Sequence, residues 1–126
     1  MPAQPPAGRL RDLPAIAIFG FKVPVATDFR ARLLGLARLD REEAGAGLLI
    51  PRCNSVHTFG MRFELDLVFL DEARCALAIR RAVQPRRFAS HRAASAVLEL
   101  PSGASLPPLF PAKSAREGGE ILSRPP

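Results

Sequence analysis

The sequence predicts a mostly β fold, a β-sandwich or barrel-like sheet with one short helix near residues 27–38. Three observations point there. From His57 to Phe69 the odd positions (His57, Phe59, Met61, Phe63, Leu65, Leu67, Phe69) are largely apolar, while the even ones include Thr58, Arg62, Glu64 and Asp66. That is the period of a strand with one buried face. Other short apolar runs, Ile16 to Val25, Leu48 to Ile50, Cys75 to Val83 and Ala96 to Leu100, are separated by proline, glycine or charged residues. Only residues 27–38 carry helical spacing. A chain of 126 residues, 48% of them hydrophobic, suffices for one core, so a single domain is expected over 15–122.

Residues 1–14 are rich in Pro, Gly and Ala and read as a flexible lead-in, with order beginning near Ala15. The segment 9–26 loosely mimics a signal peptide. Pro14 and Lys22 shorten its apolar stretch, however, and Asp12 is misplaced for one, so a first strand ending at Pro24 is expected instead. Thr27 is placed to cap the helix and Asp28 suits its positive start. Phe29, Leu33, Leu36 and Ala37 then form an inward stripe, with Arg30, Arg32 and Arg38 turned to water. Asp40 to Gly47 is a charged connection, and Leu48 to Ile50 reopens β structure.

At Val68 and Leu70 both parities become apolar, which predicts cover on both sides of that strand. Asp71-Glu72-Ala73-Arg74 reads as a hairpin turn. Pairing Leu70 with Cys75 sets Phe69 against Ala76, Leu67 against Ala78 and Phe63 against Ala82, with Glu64 facing Arg81 and Asp66 diagonal to it. Pro85 ends the hairpin, and Gln84 to Ser95 is an arginine-rich connection. Ala96 to Leu100 is a strand stopped by Pro101, and Ser102-Gly103 turns the chain. Beyond lie a proline-rich loop (Pro107, Pro108, Pro111), a last short strand at Gly119 to Leu122, and a tail over 123–126.

The segment VHTFGMRFELDLVFLD, Val56 to Asp71, resembles the signature of domain-of-unknown-function family 192. Flanking features agree in order and spacing: Gly47-Leu48-Leu49-Ile50, Cys53-Asn54-Ser55, Gln84-Pro85-Arg86 and Leu98-Glu99-Leu100-Pro101-Ser102-Gly103. The resemblance covers roughly Thr27 to Gly103. It implies a compact β-sandwich or barrel-like domain with one short helix, and almost nothing about biochemistry. Two departures stand out. Glu64 occupies a position commonly proline in the family, and Glu72-Ala73-Arg74 replaces a glycine-containing turn.

The net charge is +6, and of the 18 basic residues only Lys22 and Lys113 are lysine. The arginines are spread from Arg9 to Arg124, densest at Arg80, Arg81, Arg86, Arg87 and Arg92. With no Trp or Tyr, and only Phe88 inside that stretch, the sequence argues against specific nucleic-acid recognition while allowing general attraction to polyanions. Two cysteines make no disulfide framework, so a reducing, cytoplasmic setting is expected, and no stretch reaches the length of a membrane span.

Cys53 and His57, four apart, would share a face of a regular strand. The remaining Cys and His, Cys75 and His91, fall on other elements, so neither a metal site nor a cofactor is expected. Cys53, His57 and Asp66 are instead the candidates for a small thiol-dependent enzyme. Asp66 itself sits among Leu65, Leu67 and Val68, which suits a structural ion pair. The sharper alternative is a polar pocket in which His57, Thr58, Arg62, Asp66, Arg81 and Arg86 receive a small anionic ligand or a partner protein. A non-enzymatic binding or accessory module is the leading expectation, with the thiol enzyme and a polyanion binder using surface arginines as alternatives. The sequence names neither the partner nor the oligomeric state.

Overall fold

The computed structural model describes residues 8–106. Within them run α1 (Gly8–Arg11), β1 (Ala15–Ile18), β2 (Phe21–Pro24), α2 (Phe29–Leu34), α3 (Arg41–Ala44), β3 (Leu48–Pro51), β4 (Ser55–His57), β5 (Leu65–Leu70), β6 (Ala76–Val83), β7 (Phe88–Ser90) and β8 (Ala96–Pro101). Four strands form a central antiparallel sheet in the order β3-β8-β5-β6. Two antiparallel ribbons, β1 with β2 and β4 with β7, complete a mostly β fold with no closed barrel among the described residues.

Alternation along the central strands sends side chains into two cores. Leu48, Ile50, Leu65, Leu67, Phe69 and Val97 pack with Leu10, Ala31, Leu36, Ala44, Val56 and Ala89, contributed by the helices, their connections and the β4–β7 ribbon. On the reverse face, Leu49, Val68, Leu70, Leu98 and Leu100 pack with Ile18 and Val23 of the β1–β2 ribbon. The sheet is covered on both faces, and β5, held between β8 and β6, has all six residues buried. The apolar residues of both parity at Val68 and Leu70 foretell this cover.

Several local expectations are corrected. The stretch from Ile16 to Val25 is two strands, because Phe19 and Gly20 both take positive φ (52° and 82°) and close a two-residue hairpin. The ribbon expected from His57 to Phe69 is broken: β4 ends at His57, a loop runs from Thr58 to Glu64, and β5 starts at Leu65. From Leu65 onward odd positions face one core and even positions the other. Inside the loop the alternation fails at Thr58, which is buried, and Phe59, which is exposed, and resumes at Met61 and Phe63, which pack on the same core as Leu65 while Arg62 and Glu64 are exposed.

The helical stripe is inverted. Asp28, not Thr27, caps α2, accepting from the Ala31 N–H at 2.7 Å. The helix stops after Leu34 at Gly35, so the buried Leu36 and Ala37 belong to the turn that follows and do not continue the line of Phe29 and Leu33. Those two remain 79% and 55% exposed. Toward the amino end, order extends past Ala15: Leu10 of α1 is buried, and Arg9 donates to Gly35 O and Ala37 O at 2.8 and 2.6 Å. Composition cannot register a single docking leucine. The proline-rich loop and last strand expected beyond Leu106 lie outside the described residues.

The β5–β6 register is also shifted. Leu70 pairs with Ala76, Phe69 with Ala78, Leu67 with Arg80 and Leu65 with Val83, with irregularities between Leu65 and Leu67 and between Phe69 and Leu70. The turn causes the first step: the Asp71 carboxylate accepts from the Ala73 and Cys75 N–H groups, and the Asp71 N–H donates to Cys75 O. Arg74 supplies the left-handed residue at φ 65°. An exposed arginine there carries a steric cost that glycine avoids. Arg74→Gly is therefore expected to raise stability by about 1 kcal/mol in urea denaturation; an unchanged or lowered midpoint would contradict the strain assigned to this turn.

Candidate functional site

Asp66 projects toward the core of Val68 and Leu70, where a carboxylate has no water to fall back on. It is 1% exposed and collects four donors. Oδ1 accepts from the Ala82 N–H at 2.9 Å; Oδ2 accepts from Arg81 Nη1 at 2.8 Å and from the Gly103 and Ala104 N–H groups at 3.0 and 3.2 Å. Ala82 reaches the carboxylate because β6 bulges opposite it, at φ 52°. Arg81 also donates to Ala104 O at 2.7 Å. The residue pins three segments together: β5, the β6 bulge and the turn after β8.

The other polar residues are placed in different surroundings. Thr58 is buried, its hydroxyl donating to Gln84 O (2.7 Å) and accepting from the Arg87 N–H (2.8 Å), so it fastens the loop to the segment entering β7. Arg62 pairs with Asp40 at 3.0 Å on the surface. His57 Nδ1 accepts from the Phe59 N–H at 3.2 Å. The Arg86 N–H donates to Thr58 O at 3.2 Å while its side chain stays exposed. The fold thus brings Asp66 to Arg81, Thr58 to the Arg86 backbone and His57 to Phe88, but leaves Arg62 with Asp40.

Cys53 lines an open groove of about 500 Å³ at one end of the central sheet, with Pro51, Asn54, Glu72, Arg74 and Ser95 among its walls. Its thiol donates to Ser55 O at 3.2 Å. Asp66 is engaged at the β6 bulge and His57 uses Nδ1 locally, so no hydrogen bond joins Cys53, His57 and Asp66. Among the described residues, no group of three or more His, Cys, Asp or Glu is placed to hold a metal ion. No described helix is long and apolar enough to cross a membrane.

A surface with exposed aromatic rings lies on the β4–β7 ribbon. Val56 and Ala89 point to the core, which leaves Ser55, His57, Phe88 and Ser90 on the outer face, with His57 directly across from Phe88. Phe88 is 75% exposed and Phe59 44%. Their ring centroids are 5.2 Å apart at 66°, and the His57 ring lies 5.7 Å from Phe59. The sequence pattern concealed this cluster, because it placed Phe59 in the core with the other odd-numbered residues.

A second buried acid, Glu99 on β8, faces the opposite core from Asp66. Its Oε1 accepts from the Leu36 N–H at 3.2 Å, its single hydrogen bond among the described residues. Burial pushes its carboxyl up to about 7, against smaller opposing effects from that hydrogen bond and from Arg9. Gly35 is required beside it, since its φ is 54° and a Cβ there would stand 2.6 Å from Glu99 Oε1. Glu99 was not among the sequence candidates, though an acid inside Val97-Leu98-Glu99-Leu100 is a readable signal.

The family profile of DUF192, described as an uncharacterized ACR, matches residues 16–106. The chain belongs to this family. A solved structure from Novosphingobium aromaticivorans DSM 12444, described as a protein of unknown function, is similar with a TM-score of 0.51 and 21% sequence identity, over 64% of this chain and 62% of that one. At that identity the likeness concerns fold alone, and the matched region spans less than two thirds of the other protein's length. No curated protein matches the chain. Both the Asp66 segment and the Glu99 segment lie inside the DUF192 match, and their buried acids are the polar framework on which this member's sheet is built.

That framework makes two expectations. Asp66→Ala strands three backbone donors and is expected to cost about 3 kcal/mol or more, whereas Arg81→Ala, from a half-exposed side chain, costs about 1 kcal/mol; equal losses in urea titrations would refute the clasp. Glu99 gives a pH dependence of definite sign. Its folded value of about 7 exceeds the ordinary 4.5, so its contribution is fully present below about pH 4.5 and is lost as pH rises through 7. Glu99→Gln keeps the accepting oxygen and cannot ionise. At pH 8 it should exceed the parent by roughly 2–3 kcal/mol and vary less between pH 5 and 8; parallel stability curves for the two proteins would show that Glu99 does not titrate as described.

Proposed function

We propose that this DUF192 domain is a binding module whose partner docks on the outer face of the β4–β7 ribbon. The supporting observation is the pair Phe59 and Phe88, two phenylalanines held in edge-to-face contact with most of the Phe88 ring in solvent. Exposed aromatic side chains on a backed strand pair are anchors of the kind that dominate binding energy when covered. The rest of the ribbon is firmly fixed: Val56 and Ala89 enter the core, and Thr58 ties the following loop to Gln84 and Arg87.

Within this reading His57 and Arg86 belong to the binding face. Thr58, Asp66 and Arg81 hold the frame, and Arg62 is paired with Asp40. A thiol-dependent reaction has less support, since a nucleophile needs a base within hydrogen-bond reach and Cys53 is bonded to Ser55 O instead. The groove beside Cys53 has both signs of charge, from Arg52 and Arg74 against Asp71 and Glu72, and so offers no net attraction for an anion.

Native mass spectrometry of the protein isolated from its own cells, beside a Phe88→Asp variant, tests the proposal. The expected result is a bound species on the parent that the folded variant lacks. A species retained equally by both would move the binding site away from this ribbon, and a bare parent chain would remove the reading.

A further inference from the structure

The charge along the segments that carry β4 and β7 is one-sided. Strand β4 lies within residues 52–63 and strand β7 within residues 73–98, two segments that contain no Asp or Glu at all; the second carries Arg74, Arg80, Arg81, Arg86, Arg87 and Arg92. Arg86 and Arg87 immediately precede Phe88, and both are exposed. The Arg86 side chain donates no hydrogen bond among the described residues, and Arg87 makes only long ones, 3.4 Å to Arg86 O and to Gln84 Oε1. A third cation lies beside the residue that follows Phe59: the Arg38 N–H donates to Gly60 O at 2.7 Å, and its exposed side chain runs past Gly60.

We infer that the outer face of β4 and β7 binds single-stranded nucleic acid without sequence preference, with bases stacked on Phe88 and Phe59 and phosphates held by Arg38, Arg86 and Arg87. This rests on the reading of that ribbon as the binding face. Every base presents a flat apolar surface to a phenyl ring, and arginine offers paired N–H groups to phosphate. His57 opposite Phe88, and Ser55 opposite Ser90, add hydrogen-bonding groups along the same ribbon. A duplex hides its base faces, so it can use only the arginines. Sequence order sets Phe88 alone among the arginines; the pairing of β4 with β7 brings Phe59 and His57 to it.

Fluorescence anisotropy with labelled oligo-dT of 15 nucleotides tests this, compared with a duplex of equal length, heparin and poly-glutamate, each at low and moderate salt. The expected order is oligo-dT tightest. Phe88→Ala should weaken oligo-dT by about tenfold with little effect on heparin, and Arg86→Ala with Arg87→Ala should flatten the salt dependence by about 0.7 in log–log slope for each arginine removed. Thermal melts establish that these surface variants remain folded. Equal affinity for duplex, heparin and oligo-dT, indifferent to Phe88, would overturn the inference and leave only general polyanion attraction. Phe88-dependent binding of poly-glutamate in preference to oligo-dT would also overturn it while keeping the ribbon as a docking face for an acidic protein. If no probe binds, nucleic acid is excluded, and the mass-spectrometric comparison of parent and Phe88→Asp decides separately whether the face binds anything.

Discussion

Strand β5 has no side open to water, and the rest of the molecule is arranged around that constraint. It is flanked by β6 and β8 in the sheet and covered above and below by separate cores. Any polar group on it must find its partners inside the protein, because an unpaired buried carboxylate would consume a large fraction of a small domain's stability. Asp66 answers this by drawing donors from three directions. The bulge in β6, the positive φ of Ala82 and the tight turn after Pro101 all follow from bringing N–H groups to its two oxygens.

Glu99 meets the same constraint differently. It lies on the neighbouring strand and faces the other core, with one backbone donor where Asp66 has three together with a guanidinium. Desolvation then outweighs hydrogen bonding, and the protonated form is favoured well above the usual carboxylate range. The two acids are thus buried on opposite faces of the sheet with unequal sets of donors.

Because these central groups are committed to holding the sheet, chemistry directed outward has to come from the margins. The β4–β7 ribbon is one such margin: one face is anchored in the core and the other displays rings and arginines. A short strand pair with a buried inner face can expose large apolar side chains without loosening the fold, which is the arrangement a recognition surface needs.

The sequence by itself determined the fold class, the apolar run of β5 with cover on both sides, the strand at Ala96 to Leu100 and the need of Asp66 for a partner, without choosing Arg81 over Arg62 or Thr58. Each of these is written in local period or in the need of a charge for a partner. Tertiary structure decided the rest. Whether Phe59 faces inward depends on the loop that Thr58 pins to Gln84, a contact between residues 26 apart in the chain. The register of β6 depends on hydrogen bonds from Asp71 and Asp66, and the exposure of Phe29 and Leu33 depends on where Gly35 ends α2. Periodicity records which residues alternate; it carries no record of where a chain turns to satisfy a distant donor, and the exposed pair of Phe59 and Phe88 arises from such a turn.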